Sequence, residues 1–158
     1  MVRLDRSKVN EERQKWINYL RSDDIGKMVN KLEHKYENNR RCCLGHACHV
    51  LGLSRRIAST HNRLLVSYKS NTRAKDSSVD NLPVEAQLKL NLDRRGQFKQ
   101  CIMITKDVYG TDRHICNLQQ LNDKTDLTLS QIADIIEEQL KLGNFVEPEP
   151  YMKETRHA

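Results

Sequence analysis

The stretch from Leu127 to Gly143 admits one structure. Thr128 followed three residues later by Gln131 is a capping box, and Leu127 before it is placed to staple onto Ile132. Leu129, Ile132, Ala133, Ile136 and Leu140 then recur on one helical face, and Gly143 ends the run. An amphipathic helix of this kind must bury its stripe against other elements, so the remaining chain has to provide a core for it. Of 158 residues, 37% are apolar, which is enough for one core and too few for two. Only 5% are aromatic, a composition that suits a helix-rich protein better than an aromatic-filled sandwich. The expectation is one α+β domain, mostly helical with a small β element, spanning residues 1–146, with 147–158 as a loose acidic and polar tail.

Other segments give partial signals. Asn10 before Glu11 and Glu12 reads as an N-cap, with Val9, Trp16, Ile17 and Leu20 on one face, and predicts a helix over 11–21. Ile25, Met28, Val29, Leu32 and Tyr36 have helical spacing and predict a second helix, weakened by Gly26. Leu44, Ala47, Cys48 and Leu51, flanked by Cys43 and Val50, predict a buried third helix with Gly52 as its C-terminal cap. Residues 53–81 read as a mobile loop holding one strand near Leu64–Tyr68. From Leu82 to Leu92 strand alternation competes with Pro83, which suits a first helical turn. Phe98–Thr105 reads as a strand, with the strand near Val66 as a candidate partner. No apolar run is long enough for a membrane span, and the N-terminus lacks the apolar core of a signal peptide, so neither span nor secretion is expected.

Charge is unevenly spread. The chain carries 27 basic and 21 acidic residues, a balance of +6, yet no carboxylate lies between Glu37 and Asp76. That interval holds Arg40, Arg41, Arg55, Arg56, Arg63, Lys69, Arg73 and Lys75. Arginine offers a planar fork of donors that matches phosphate oxygens in pairs, so a bias toward arginine points to an anion site. A solvated basic face, balanced by the acidic C-terminal helix, is the plainer alternative. Arg40, Arg41, Arg55, Arg56 and Arg63 are the candidate ligand-binding residues.

Five cysteines make an odd number with no second cluster, so reduced thiols are expected. Cys42, Cys43, His46, Cys48 and His49 crowd eight positions, with Cys101, His114 and Cys116 as distant candidates. Helical spacing offers only pairs on one face, so these thiols read as core residues, with no metal and no cofactor. A nucleophilic Cys42 or Cys43 served by His114 is the enzymatic alternative. Phosphate loops, nucleophile elbows and zinc-protease motifs are absent from the sequence. LTLSQIADII has the pattern of the first helix of a helix-turn-helix, but no second helix follows it.

The order Trp16, Leu20-Arg21-Ser22, Cys42-Cys43-Leu44-Gly45 with Cys48 and Gly52, Leu82-Pro83, Leu121-Asn122-Asp123 and Ile132-Ala133-Asp134 with Ile136-Glu137 resembles a family of small uncharacterised proteins of tailed bacteriophages and prophages. The resemblance runs from Trp16 to Leu140 and implies a helix after Pro83. It brings no catalytic residues. His46, His49 and the long basic stretch after Gly52 depart from the family pattern and count against a shared metal site. A phage origin implies an accessory protein in the host cytoplasm, active in counter-defence or host takeover. The expected function is binding and not catalysis: capture of a small anionic ligand, such as a nucleotide immune signal, by a monomer or homo-oligomer. Alternatives are an inhibitor of a host protein acting through the C-terminal helix, a non-specific nucleic-acid binder and a thiol enzyme.

Overall fold

A computed structural model describes residues 5–28, 32, 40–60, 63–71, 77–78, 80–105 and 112–148, with the side chains of 58–60, 63–65 and 77–78 outside that description. The elements run α1 (Arg6–Leu20), β1 (Gly26–Lys27), β2 (Arg40–Arg41), α2 (Cys43–Val50), β3 (Ser54–Thr60), β4 (Arg63–Lys69), β5 (Ser77–Ser78), α3 (Val84–Leu90), β6 (Gln97–Ile104), β7 (Arg113–Asn117), α4 (Leu118–Asp123) and α5 (Leu129–Lys141). The fold is α+β, but not as lopsidedly helical as composition suggests. Its strands form three small sheets: parallel β1-β2, antiparallel β3-β4-β5 and antiparallel β6-β7. No helix among the described residues is long and apolar enough to cross a membrane.

At α5 both halves of the capping box form. The Gln131 amide donates to Thr128 Oγ1 at 3.1 Å and the Thr128 amide to Gln131 Oε1 at 2.9 Å. Past its other end, Gly143 sits at φ 65°, its amide and that of Asn144 donating to Leu140 and Gln139 carbonyls. Ile132, Ala133 and Ile136 are fully buried, and Leu140 is half-buried against them. On the outer side Arg21, the C-cap of α1, grips Asp134 at 2.7 Å and Glu137 at 3.4 Å. Thr128→Ala removes the acceptor for the Gln131 amide and is expected to lower stability by about 1 kcal/mol. Urea melts check this, and an unchanged midpoint would mean that the cap does not hold the helix.

The other ends of the core differ from their sequence signals. α1 starts at Arg6, capped by Asp5, whose Oδ1 accepts from the Lys8 amide at 3.1 Å; Asn10 is an exposed interior residue. The extra turn brings Val9 under cover. No helix forms at 26–27, where Gly26 and Lys27 instead pair in parallel with Arg40 and Arg41. Ile25 and Leu32 still reach the core, so the apolar spacing is satisfied by a chain running extended at Gly26–Lys27; the rest of the predicted helix lies outside the described residues. α2 is buried from Cys43 to Cys48 and ends as expected, with Gly52 at φ 70°.

Residues 53–81 are not one loop with a strand. β3 and β4 pair over seven rungs, from Ser54 with Lys69 to Thr60 with Arg63, and β5 adds to β4 at Tyr68 and Lys69. β6 pairs with β7, not with the strand at Val66. That ladder places Cys101 beside Cys116, and the two form a disulfide, which corrects the expectation of five reduced thiols. Pro83 does precede a helix, α3. Beyond α5 the chain stays packed: Phe145 bridges to Phe98, Asn144 Nδ2 donates to Gln100 O and Gln139 Oε1, and Pro148 is buried. The expected tail therefore begins no earlier than residue 149, outside the described residues. One apolar cluster joins Trp16, Leu44, Leu90, Leu121 and Ile132 from all five helices with Tyr68, Ile115 and Phe145.

Candidate functional site

Two sequence motifs far apart in the chain meet at the start of α2. The Cys43 amide, which has no partner within its own helix, donates to Asn122 Oδ1 at 3.1 Å, and the indole N–H of Trp16 donates to the Cys43 carbonyl at 2.9 Å. Asn122 Nδ2 in turn donates to the Met28 carbonyl at 2.8 Å. Cys42 is the N-cap, its Sγ accepting from the Gly45 amide at 3.3 Å, and the Cys43 thiol faces the Leu118 carbonyl at 3.7 Å. Asn122, in the Leu121-Asn122-Asp123 motif of the sequence, is thus the clasp of a helix 79 residues earlier.

Beside this junction is a cavity of about 180 Å³ lined by Cys42, Cys43, Asp80, Gln119 and Asp123. Burial pushes the Cys42 thiol up to about 12 and lifts Cys43 well above its ordinary range, and the nearby Asp123 charge acts in the same direction. Both are protonated thiols at neutral pH, poor nucleophiles and poor metal ligands. His114, the imagined base, is exposed on β7 opposite Met103. His46 is buried with Nε2 2.9 Å from the Gly26 carbonyl, and the Tyr19 ring sits 5.5 Å from both His46 and His49. Among the described residues no three His, Cys, Asp or Glu side chains converge as a metal site would require.

The candidate arginines are divided. Arg40 and Arg41 are neighbours on a strand and so take opposite sides. Arg40 is exposed, with Nε donating to the Lys27 carbonyl at 2.9 Å. Arg41 is only 3% exposed, and its Nε donates to Tyr68 Oη at 3.0 Å. The expectation that Arg41 is a ligand-binding residue is corrected: it ties β2 to β4 in the interior. Arg55 pairs in register with that same Tyr68, and Arg56 with Ser67 on the next rung. Both are exposed. Arg63 pairs with Thr60 at the far end of the hairpin.

The hairpin root is fixed by residues that the sequence reading missed. Asn71 Oδ1 accepts from the Ser54 amide and Nδ2 donates to the Gly52 carbonyl, while Glu85 of α3 receives the Asn71 amide and gives its own amide to Ser70 Oγ. Asparagine after a strand is the local signal that marks such a turn. The result is a basic antiparallel ribbon on a locked base: Arg41 and Tyr68 meet in the interior, while Arg55 and Arg56, adjacent on β3, are both exposed but on opposite faces of the ribbon.

The fold and site define a class: an α+β protein with a helical core clasped by one asparagine, carrying a basic hairpin and no activated thiol among the residues described at the junction. The chain belongs to the family described as Domain of unknown function (DUF8296), whose model matches residues 8–140. No curated protein and no solved structure matches it.

Proposed function

We propose that this is a phage accessory protein that binds a small phosphate-bearing anion in the host cytoplasm, for instance a nucleotide immune signal, through the β3-β4 hairpin. The observation that carries the reading is the exposure of Arg55 and Arg56, one on each face of a ribbon within a segment, residues 38 to 75, that contains no carboxylate. A merely solvated face ordinarily intersperses acids to relieve repulsion. Binding is favoured over thiol catalysis by the buried, protonated state of Cys42 and Cys43. It is favoured over docking of a host protein on the α5 stripe because that stripe is spent on the core.

Calorimetry against mono-, di- and cyclic oligonucleotides at two salt concentrations tests the proposal. Arg55→Ala and Arg56→Ala each remove a charge-assisted contact and are expected to weaken binding by roughly 10 to 100-fold. No binding across the panel, or binding indifferent to both substitutions, would sink it. Light scattering with the bound ligand reads the oligomeric state in the same samples.

A further inference from the structure

A second group of cations, outside the basic segment, converges on a cavity of about 250 Å³ between α1, the end of α3, the start of β6 and the chain after α5. Arg6, Arg13 and Lys99 line it, with Asn10 and Asn91 as neutral polar groups and Glu147 as the acid. Arg13 is the fixed member. Its Nε donates to the Leu90 carbonyl at 2.8 Å and its Nη2 to the Asn91 carbonyl at 3.3 Å, so the last turn of α3 holds the guanidinium plane. No rotamer freedom is left for a ligand to remove there. Burial alone pulls Arg13 below its ordinary value, with no acid offsetting it.

The described residues do not neutralise the three cations. Among the described residues, none of Arg6, Arg13 and Lys99 has a carboxylate within ion-pairing distance, although Glu147 lines the same space. Among the described residues, three positive charges against one negative leave the cavity with an excess of two. Val9 and Phe145, both nearly buried, supply an apolar wall beside the charges. The volume is at the small end for a ligand site.

We infer that this cavity is a second anion site, for a doubly charged phosphoryl group on a small apolar body, held by Arg13, Arg6 and Lys99. The charge excess matches a phosphate monoester dianion, a guanidinium presents donors to phosphate oxygens in a planar array, and the apolar wall distinguishes an ester from free phosphate. The site uses none of the hairpin residues and does not depend on the function proposed for them.

The test is calorimetry on the full chain at low salt with phenyl phosphate, inorganic phosphate and benzoate. Phenyl phosphate is expected to saturate at one site, tighter than either of the others. Because Arg13 also caps α3, the diagnostic variants are the exposed Arg6→Ala and Lys99→Ala, each expected to weaken phenyl phosphate by about tenfold or more. Arg55→Ala and Arg56→Ala are expected to leave it unchanged, which separates this site from the hairpin. Inorganic phosphate equal to phenyl phosphate would remove the apolar body from the assignment, and benzoate equal to it would remove the phosphoryl group. No saturation by about 10 mM phenyl phosphate, a millimolar limit that corresponds to a few kcal/mol of binding, would overturn the site. So would saturation that survives both Arg6→Ala and Lys99→Ala.

Discussion

Gly45→Ala is expected to reverse the usual effect of that exchange and cripple the fold. In the middle of an exposed helix, alanine for glycine stabilises by about 1 kcal/mol, because glycine has more backbone freedom to lose. Gly45 lies in α2, where its φ is not positive, so nothing about its own conformation calls for glycine. The reason is its neighbour. A Cβ at this position would overlap the Leu32 carbonyl, lying 2.6 Å from the carbonyl carbon and closer still to its oxygen, with Arg41 Cβ 3.0 Å away on another side. The same carbonyl accepts the Cys42 amide at 3.2 Å, and Leu32 itself is fully buried. To admit a methyl group, α2 and the chain at Leu32 must separate, which opens the core and breaks a buried hydrogen bond. Overpacking of about 1–3 kcal/mol and the lost bond of about 1–3 kcal/mol together come to roughly 2–6 kcal/mol, with about 4 kcal/mol as the centre. For a chain of this size that is a fall in melting temperature of roughly 10 °C or more. Gly52→Ala is the matched control: its φ of 70° strains an L-residue, but nothing lies within 4 Å, so about 1 kcal/mol is expected. If Gly45→Ala melts within two or three degrees of the parent, on the scale of about 1 kcal/mol, the close approach of α2 to Leu32 is not what holds this glycine in place.

The contrast between Gly45 and α5 shows what the sequence could and could not reveal. The ends of α5 are written in contiguous residues, Thr128 to Gln131 at one end and Gly143 at the other, and its stripe has one period throughout. Every interaction that starts, faces and stops it is local, so it was legible in full. Residues 25–36 carry an equally regular apolar spacing, but Gly26 and Lys27 gain more by pairing with Arg40 and Arg41, a choice that depends on a strand 14 residues away. β3 was missed because Ser-Arg-Arg-Ile-Ala-Ser-Thr has no alternating apolar face; Arg55, Arg56 and the half-exposed Ile57 show why none was needed. The candidate site was half legible. Its charge could be counted, but whether an arginine faces water or a tyrosine hydroxyl is settled by packing: Arg40 and Arg41 look alike in the sequence, yet Arg40 is exposed and Arg41 is buried. The cavity at Arg13 left even less trace, since its three cations are separated by acids and neutral residues along the chain.

Removing the Cys101–Cys116 bond is expected to be the other large effect. Five cysteines suggested reduced thiols because an odd count leaves one unpaired, but the structure sorts them by surroundings. Cys42, Cys43 and Cys48 stand outside the disulfide and are buried in the core, while Cys101 and Cys116 lie on adjacent strands, 4.2 Å apart at Cα, with Cys101 exposed. The bond closes a loop with a sequence separation of 15, for which the chain-entropy argument gives about 3 kcal/mol of stabilisation, acting by restricting the unfolded chain. That loop includes the rungs from Ile102–Ile115 to Ile104–Arg113, and Cys116 leads directly into Asn117, whose side chain caps α4 by accepting the Gln120 amide at 2.8 Å. α4 carries Leu118 and Leu121 into the core and Asn122 onto α2, so loosening β7 acts on the clasp. Alkylation of the unfolded, unreduced protein followed by mass spectrometry should modify three cysteines, and five after reduction. Reduction, or replacing both Cys101 and Cys116 by serine, should lower the melting temperature by roughly 6–12 °C. The double replacement is the better comparison, since it leaves no lone thiol to form new pairs. Five modified cysteines before reduction, or a double variant that melts with the parent, would place the two sulfurs apart and remove the constraint on β6 and β7.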